Sequence, residues 1–213
     1  MGRKFETWVC GRYPDLKPSA EGTLEPIWMH TLEPDVLKVG TLKRCRGHVT
    51  LTLALLSAFV QECKVDASNI VVMTPYKPNA DFANSLLKEN ECPILAKMPL
   101  VQTADTFHGC EGEMAVVIFR TNVHTRPGFT INENRLNAMI ARQRSALLLV
   151  GDMNVTGRLM GPSAARHTKQ AKIVKSAHSN DSTLTFKKNK VLRGLLLAMH
   201  KRGRFFEERR TGQ

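Results

Sequence analysis

Apolar positions along the chain fall into short unbroken runs, separated by longer stretches with helical spacing. Residues 70–73 (IVVM), 115–119 (AVVIF) and 146–150 (ALLLV) are apolar at every position, not at every second one. A strand that is apolar on both sides is covered on both sides, the signature of a parallel sheet between helical layers. The intervening segments predict the helices. Residues 49–63 place Leu55, Leu56 and Phe59 at helical spacing, and 79–90 put Phe82, Ala83, Leu86 and Leu87 on one face. Residues 132–144 predict a helix capped by Thr130 or Asn132, with Leu136, Met139 and Ile140 inward. Residues 190–201 predict another, with Val191, Leu192, Leu195, Leu196 and Met199 inward. Short strands are expected at 36–43 and 98–102. Pro14, Pro18, Pro26 and Pro34 give residues 1–35 the look of an irregular lead-in. Residues 156–183 read as a polar loop or arm, and the charged end as frayed. The expected organisation is an α/β core over 36–155, preceded by the lead-in and followed by a basic extension, 156–213.

Charge sharpens that division. The chain of 213 residues carries a formal charge of +12. Residues 1–150 hold 17 Lys+Arg against 15 Asp+Glu, whereas 151–213 hold 14 against 4. The excess is thus confined to the last part, where it suits a polyanion such as nucleic acid or forms a solvated face. Five cysteines (10, 45, 63, 92 and 110) are spread singly with no CxxC. An odd, scattered set reads as free thiols in a reducing compartment, nucleus or cytoplasm. No apolar run reaches membrane-spanning length, so no membrane partner is expected.

Three polar segments flank the apolar runs. Thr74-Pro75-Tyr76-Lys77 follows the first run, and its hydroxyl and ring suit a nucleic-acid backbone or base. Thr103–Glu113 (TADTFHGCEGE) leads into the second, with two glycines that permit close backbone approach to a ligand. Asn134–Arg144 (NRLNAMIARQR) leads into the third and presents arginines, whose planar, permanently charged fork reads phosphate well. Taken singly, each segment reads better as an ordinary turn or a solvated basic helix face.

In order and together, the run IVVMTPYKPN…TADTFHGCEGEMAVVIF…NENRLNAMIARQRSALLLVGD resembles the second RecA-like domain of superfamily 1 helicases, nearest the senataxin and up-frameshift branch. That branch carries a strand ending in T-P-Y, a T-x-D-S-F-Q-G-x-E-x-D segment, and R-L-N-V-A-L-T-R-A before a strand ending in G-D. The resemblance covers roughly residues 36–155. It implies a three-layer, parallel-sheet fold of the P-loop NTPase type. It also implies roles: Arg142 as the arginine that reaches the γ-phosphate, Glu111 at the nucleotide ribose, and Gly109 in the loop that approaches the nucleotide. Thr103 and Thr74, Pro75 and Tyr76 fall in the segments that meet the nucleic-acid strand.

The chain departs from the pattern in several places. His108 stands for Gln, Ala141 for Thr, Gln143 for Ala and Glu113 for Asp, and no Q-Y-R-M-H-P segment occurs in residues 1–69. No GxxxxGK[ST] and no Asp-Glu dipeptide occur anywhere. The backbone cradle and metal site that phosphoryl transfer depends on are therefore missing. The expected cofactor is ATP with magnesium, and only alongside a P-loop domain in cis or trans. The expected nucleic-acid partner is single-stranded RNA or DNA. A nucleic-acid-binding module without motor function, or a degenerate helicase fragment, are the alternatives.

Overall fold

The computed structural model describes residues 1–31, 36–39, 42–89, 91–106, 111–119, 133–156, 159 and 190–208. The strands are β1 (Ile27–His30), β2 (Val36–Val39), β3 (Leu42–Cys45), β4 (Ile70–Thr74), β5 (Gln102–Thr103), β6 (Gly112–Ile118), β7 (Gln143–Gly151) and β8 (Phe205–Glu207). The helices are α1 (Gly2–Arg12), α2 (Arg46–Cys63), α3 (Lys77–Lys88), α4 (Glu133–Ile140) and α5 (Lys190–Arg202). Six strands form one sheet in the order β5-β4-β6-β7-β1-β8, and every neighbouring pair is parallel. β2 and β3 form a separate antiparallel hairpin.

Side chains of the central strands alternate between two apolar layers. Met114, Val116 and Ile118 of β6 pack with Phe5 of α1, Leu56 and Phe59 of α2 and Ala83 of α3. Ala115 and Val117 pack instead with Leu136 and Met139 of α4 and Leu192, Leu196 and Met199 of α5. The unbroken apolar runs are thus explained by two buried faces, giving an α/β, three-layer, RecA-like architecture. A parallel strand needs a crossover to return to its starting edge, and α4 supplies the one between β6 and β7. None of the described helices is long and apolar enough to cross a membrane.

Several expectations are corrected. Among the described residues 1–31 the lead-in is not irregular throughout: α1 packs on the core, and β1 lies inside the sheet between β7 and β8. Proline breaks an element only where it falls within it. Here Pro14 and Pro18 follow α1, and Pro26 immediately precedes β1. The segment 36–43 is a hairpin rather than one strand, and the strand expected at 98–102 is reduced to Gln102–Thr103. The helix expected to reach residue 144 ends at Ile140, because pairing with β6 draws Gln143 and Arg144 into β7. The charged end is not frayed throughout: Phe205–Glu207 pairs with β1, so residues 190–208 belong to the fold. Most of the polar stretch 156–183 lies outside the described residues, as do Thr130 and Asn132.

Candidate functional site

The amino ends of β6 and β7 meet at one rim. Gly112 is in register with Gln143, and its N–H donates to the Arg142 carbonyl at 3.2 Å. Glu111 and Arg142, one residue outside each strand, therefore stand side by side. Arg142 occupies the short link between α4 and β7. Its Nε donates to the Ala138 carbonyl at 2.8 Å, one of the carbonyls that a helix end leaves open. A cation there is also favoured by the helix dipole. Anchoring through Nε leaves the two Nη groups, which take no hydrogen bond or ion pair among the described residues. Such a guanidinium can grip phosphate oxygens through two parallel bonds.

Glu111 is exposed, and its Oε2 lies 3.4 Å from Nε of Arg144, the second residue of β7. Its neighbour Glu113 is turned into the fold, where Oε2 and the backbone carbonyl accept from Ser145 Oγ at 3.1 and 2.9 Å. Of the two carboxylates, Glu111 is the one offered to solvent, where it can accept hydrogen bonds from ligand hydroxyls. Beside this rim lies a cleft of about 160 Å³ between α1 and the first residues of β1 and β7, with Arg144 and Ser145 in its wall. Gly112 has a packing reason of its own. A Cβ there would come within 2.9 Å of Val71 Cγ2 and 3.0–3.1 Å of the Met114 and Asn69 carbonyls.

The other predicted residues lie at the opposite, carboxyl edge. Thr74 ends β4 in register with Thr103 of β5, and Ala104 N–H donates to the Thr74 carbonyl. Thr74 and Pro75 are buried, and Thr74 Oγ1 accepts long contacts from Tyr76 N–H and Asn79 Nδ2, 3.4 and 3.5 Å. These two residues shape the turn into α3, and Tyr76 and Thr103 are the partly exposed members of the group. Thr103 shares a hydroxyl contact of 3.0 Å with Thr106. The seven candidates thus divide into an amino-rim pair, a carboxyl-edge group of four, and Gly109, which lies outside the described residues. The segment from Thr103 to Glu111 joins the two edges, and Asp105 ties it to α4 through Arg135 at 3.3 Å.

Three features of this framework have no role assigned by sequence. Arg144 was part of the arginine-bearing segment, yet only register with β6 places it against Glu111. His30, His48 and Asp152 form a buried polar knot at the carboxyl edge. His30 Nδ1 accepts the Met153 N–H at 3.2 Å, and His48 Nδ1 lies 2.7 Å from the Phe119 carbonyl. Burial pushes the His48 imidazole below its ordinary pKa, against the smaller opposing pull of that carbonyl and of Asp152. Arg204, 2% exposed, is clamped between Glu6 and Glu25. A histidine or arginine among apolar residues carries no sequence signal of such burial.

No curated protein matches the chain. A family model described as an AAA domain matches residues 25–154, from just before β1 to the turn after β7. That span is more than half of the chain and includes β1, β4, β5, β6 and β7 of the sheet together with both groups of candidate residues. The chain therefore belongs to this AAA-domain family, AAA_12, which is found in superfamily 1 helicase-like proteins.

Proposed function

We propose that the chain is the second motor domain of an ATP-dependent superfamily 1 helicase-like protein of the senataxin and up-frameshift kind. In this reading a P-loop domain, in cis or in trans, grips ATP and its magnesium, and the amino rim of this sheet closes over the nucleotide. The observation that carries the reading is the side-by-side placement of Glu111 and an anchored Arg142 at the starts of adjacent parallel strands. Arg142 would meet the terminal phosphate, and Glu111 would accept from the ribose hydroxyls. A guanidinium already held in place needs little reorganisation as charge develops, which is why fixed donors stabilise transition states well. The chain has no GxxxxGK[ST] cradle, so turnover requires the other domain.

Thr103 and the turn at Thr74–Tyr76 are the nucleic-acid-facing candidates, with the Tyr76 ring suited to stacking on a single-stranded base. Thr74 and Pro75 act there by shaping the turn. Thr103 and Glu111, close in the chain, stand at opposite edges of the sheet.

The test is to mix or tether the chain to a superfamily 1 P-loop motor domain and measure phosphate release with and without single-stranded RNA and DNA. Stimulation by nucleic acid is expected, with a loss of about 10³-fold or more in Arg142→Ala, the scale of an arginine supplied to phosphoryl transfer. No stimulation, together with no loss in Arg142→Ala, would count against the reading.

A further inference from the structure

Arg144 stands at the same rim with no assigned role. Its backbone is fixed by β7, while its side chain is 63% exposed and meets a Glu111 side chain that is 52% exposed. At 3.4 Å the contact is too long for a strong hydrogen bond, and water competes for both groups. The carboxylate that would serve the ribose is thus already partnered by a cation, loosely. That cation lies two residues from Arg142, where the phosphates would arrive.

We infer that Arg144 is a specificity-determining latch on Glu111, an inference that rests on the amino rim being the nucleotide face. Without ligand, Arg144 neutralises Glu111. A polyphosphate carries several negative charges and draws the arginine away, because phosphate oxygens offer it a stronger bidentate partner than one exposed carboxylate oxygen. Glu111 is then free to accept from ribose hydroxyls. The two halves of the ligand are read jointly. A nucleoside alone leaves the pair closed, and inorganic polyphosphate opens it but leaves the freed carboxylate without a hydroxyl partner. Only a nucleoside polyphosphate satisfies both side chains.

The test uses the full chain tethered to a superfamily 1 P-loop motor domain, with ¹⁵N-labelled backbone signals of Gly112, Arg142 and Arg144 as site-specific reporters. ATP, inorganic tripolyphosphate and adenosine are titrated into the wild type, Arg144→Gln, Glu111→Gln and Arg142→Ala. The latch predicts that Arg144→Gln weakens tripolyphosphate binding at these reporters by about 3- to 10-fold. It predicts that Glu111→Gln strengthens tripolyphosphate binding by a similar factor and removes the preference for ATP over tripolyphosphate. Both positions are exposed, and unchanged thermal unfolding checks that the fold is intact. If Arg142→Ala weakens ATP while the Arg144 and Glu111 variants bind tripolyphosphate like the wild type, the latch is overturned and the rim reading stands. If no ligand moves the reporters in the wild type, both are overturned.

Discussion

His48, in the first turn of α2, is buried to 1% exposure beneath the ends of β1 and β6. Its Nδ1 donates to the Phe119 carbonyl at 2.7 Å, and His30 and Asp152 are the titratable groups facing it. Burial disfavours the charged ring, so its folded-state pKa is depressed. The unfolded chain takes up that proton near the ordinary value of about 6.5, the folded chain only at lower pH. As pH falls through that value the unfolded state binds more protons, and stability declines until the folded pKa is passed. The melting temperature is expected to fall between pH 7.5 and 5, and His48→Asn to flatten that slope while lowering stability at pH 7.5. Equal slopes in the two proteins would exclude His48 as the cause. Glu6 adds a second pH dependence. Burial would raise its carboxyl, but Ser19 and Arg204 together hold it below the usual carboxylate value. Its contribution is complete above the unfolded-state value and is lost as pH falls through the folded-state one.

The start of β6 shows how one element fixes another. Gly112 passes the turn before β4 so closely that a side chain would meet Val71 and two carbonyl oxygens. Gly112→Ala should cost about 1–3 kcal/mol by overpacking, read by chemical denaturation. It should also move the backbone signals of Glu111 and Arg142, because the Gly112 N–H to Arg142 carbonyl bond couples them. A neutral substitution with unmoved signals would show that the rim is not held by this contact. The end of α4 is set by the same pairing. Helical periodicity alone continues through Arg142, and only the competing hydrogen bonds of β6 stop the helix at Ile140.

Across the molecule, the two ends of the described chain are locked together. β8 pairs with β1, Tyr13 stacks on Phe206 at 4.1 Å and hydrogen-bonds Glu208, and Arg204 lies between Glu6 at 2.9 Å and Glu25 at 3.8 Å. The N-terminal helix and the C-terminal strand thus belong to one cooperative unit with the core. Removing one member of a buried ion pair strands the other in a medium that solvates it poorly. Arg204→Met is expected to destabilise the chain by about 3–5 kcal/mol, and adding Glu6→Gln to recover part of that loss. Urea unfolding of the single and double variants measures both. Additive losses would mean that Glu6 and Arg204 are not coupled.

Much of this architecture was legible in the chain before any coordinates. Doubly apolar runs such as 115–119 and 146–150 have no stable home except between two helical layers, so they determine a covered parallel sheet. The segments around Glu111 and Arg142 pointed to a helicase-like domain through their joint, ordered resemblance to superfamily 1 motifs, not through the chemistry of either one alone. Tertiary structure alone decided the rest. Whether four residues at 27–30 or three at 205–207 become strands depends on a neighbour offering free backbone groups, and those neighbours lie far away in sequence. The burial of His48 and Arg204, and the meeting of Arg144 with Glu111, likewise arise from strand register. Register is a property of pairs of strands that no single segment contains.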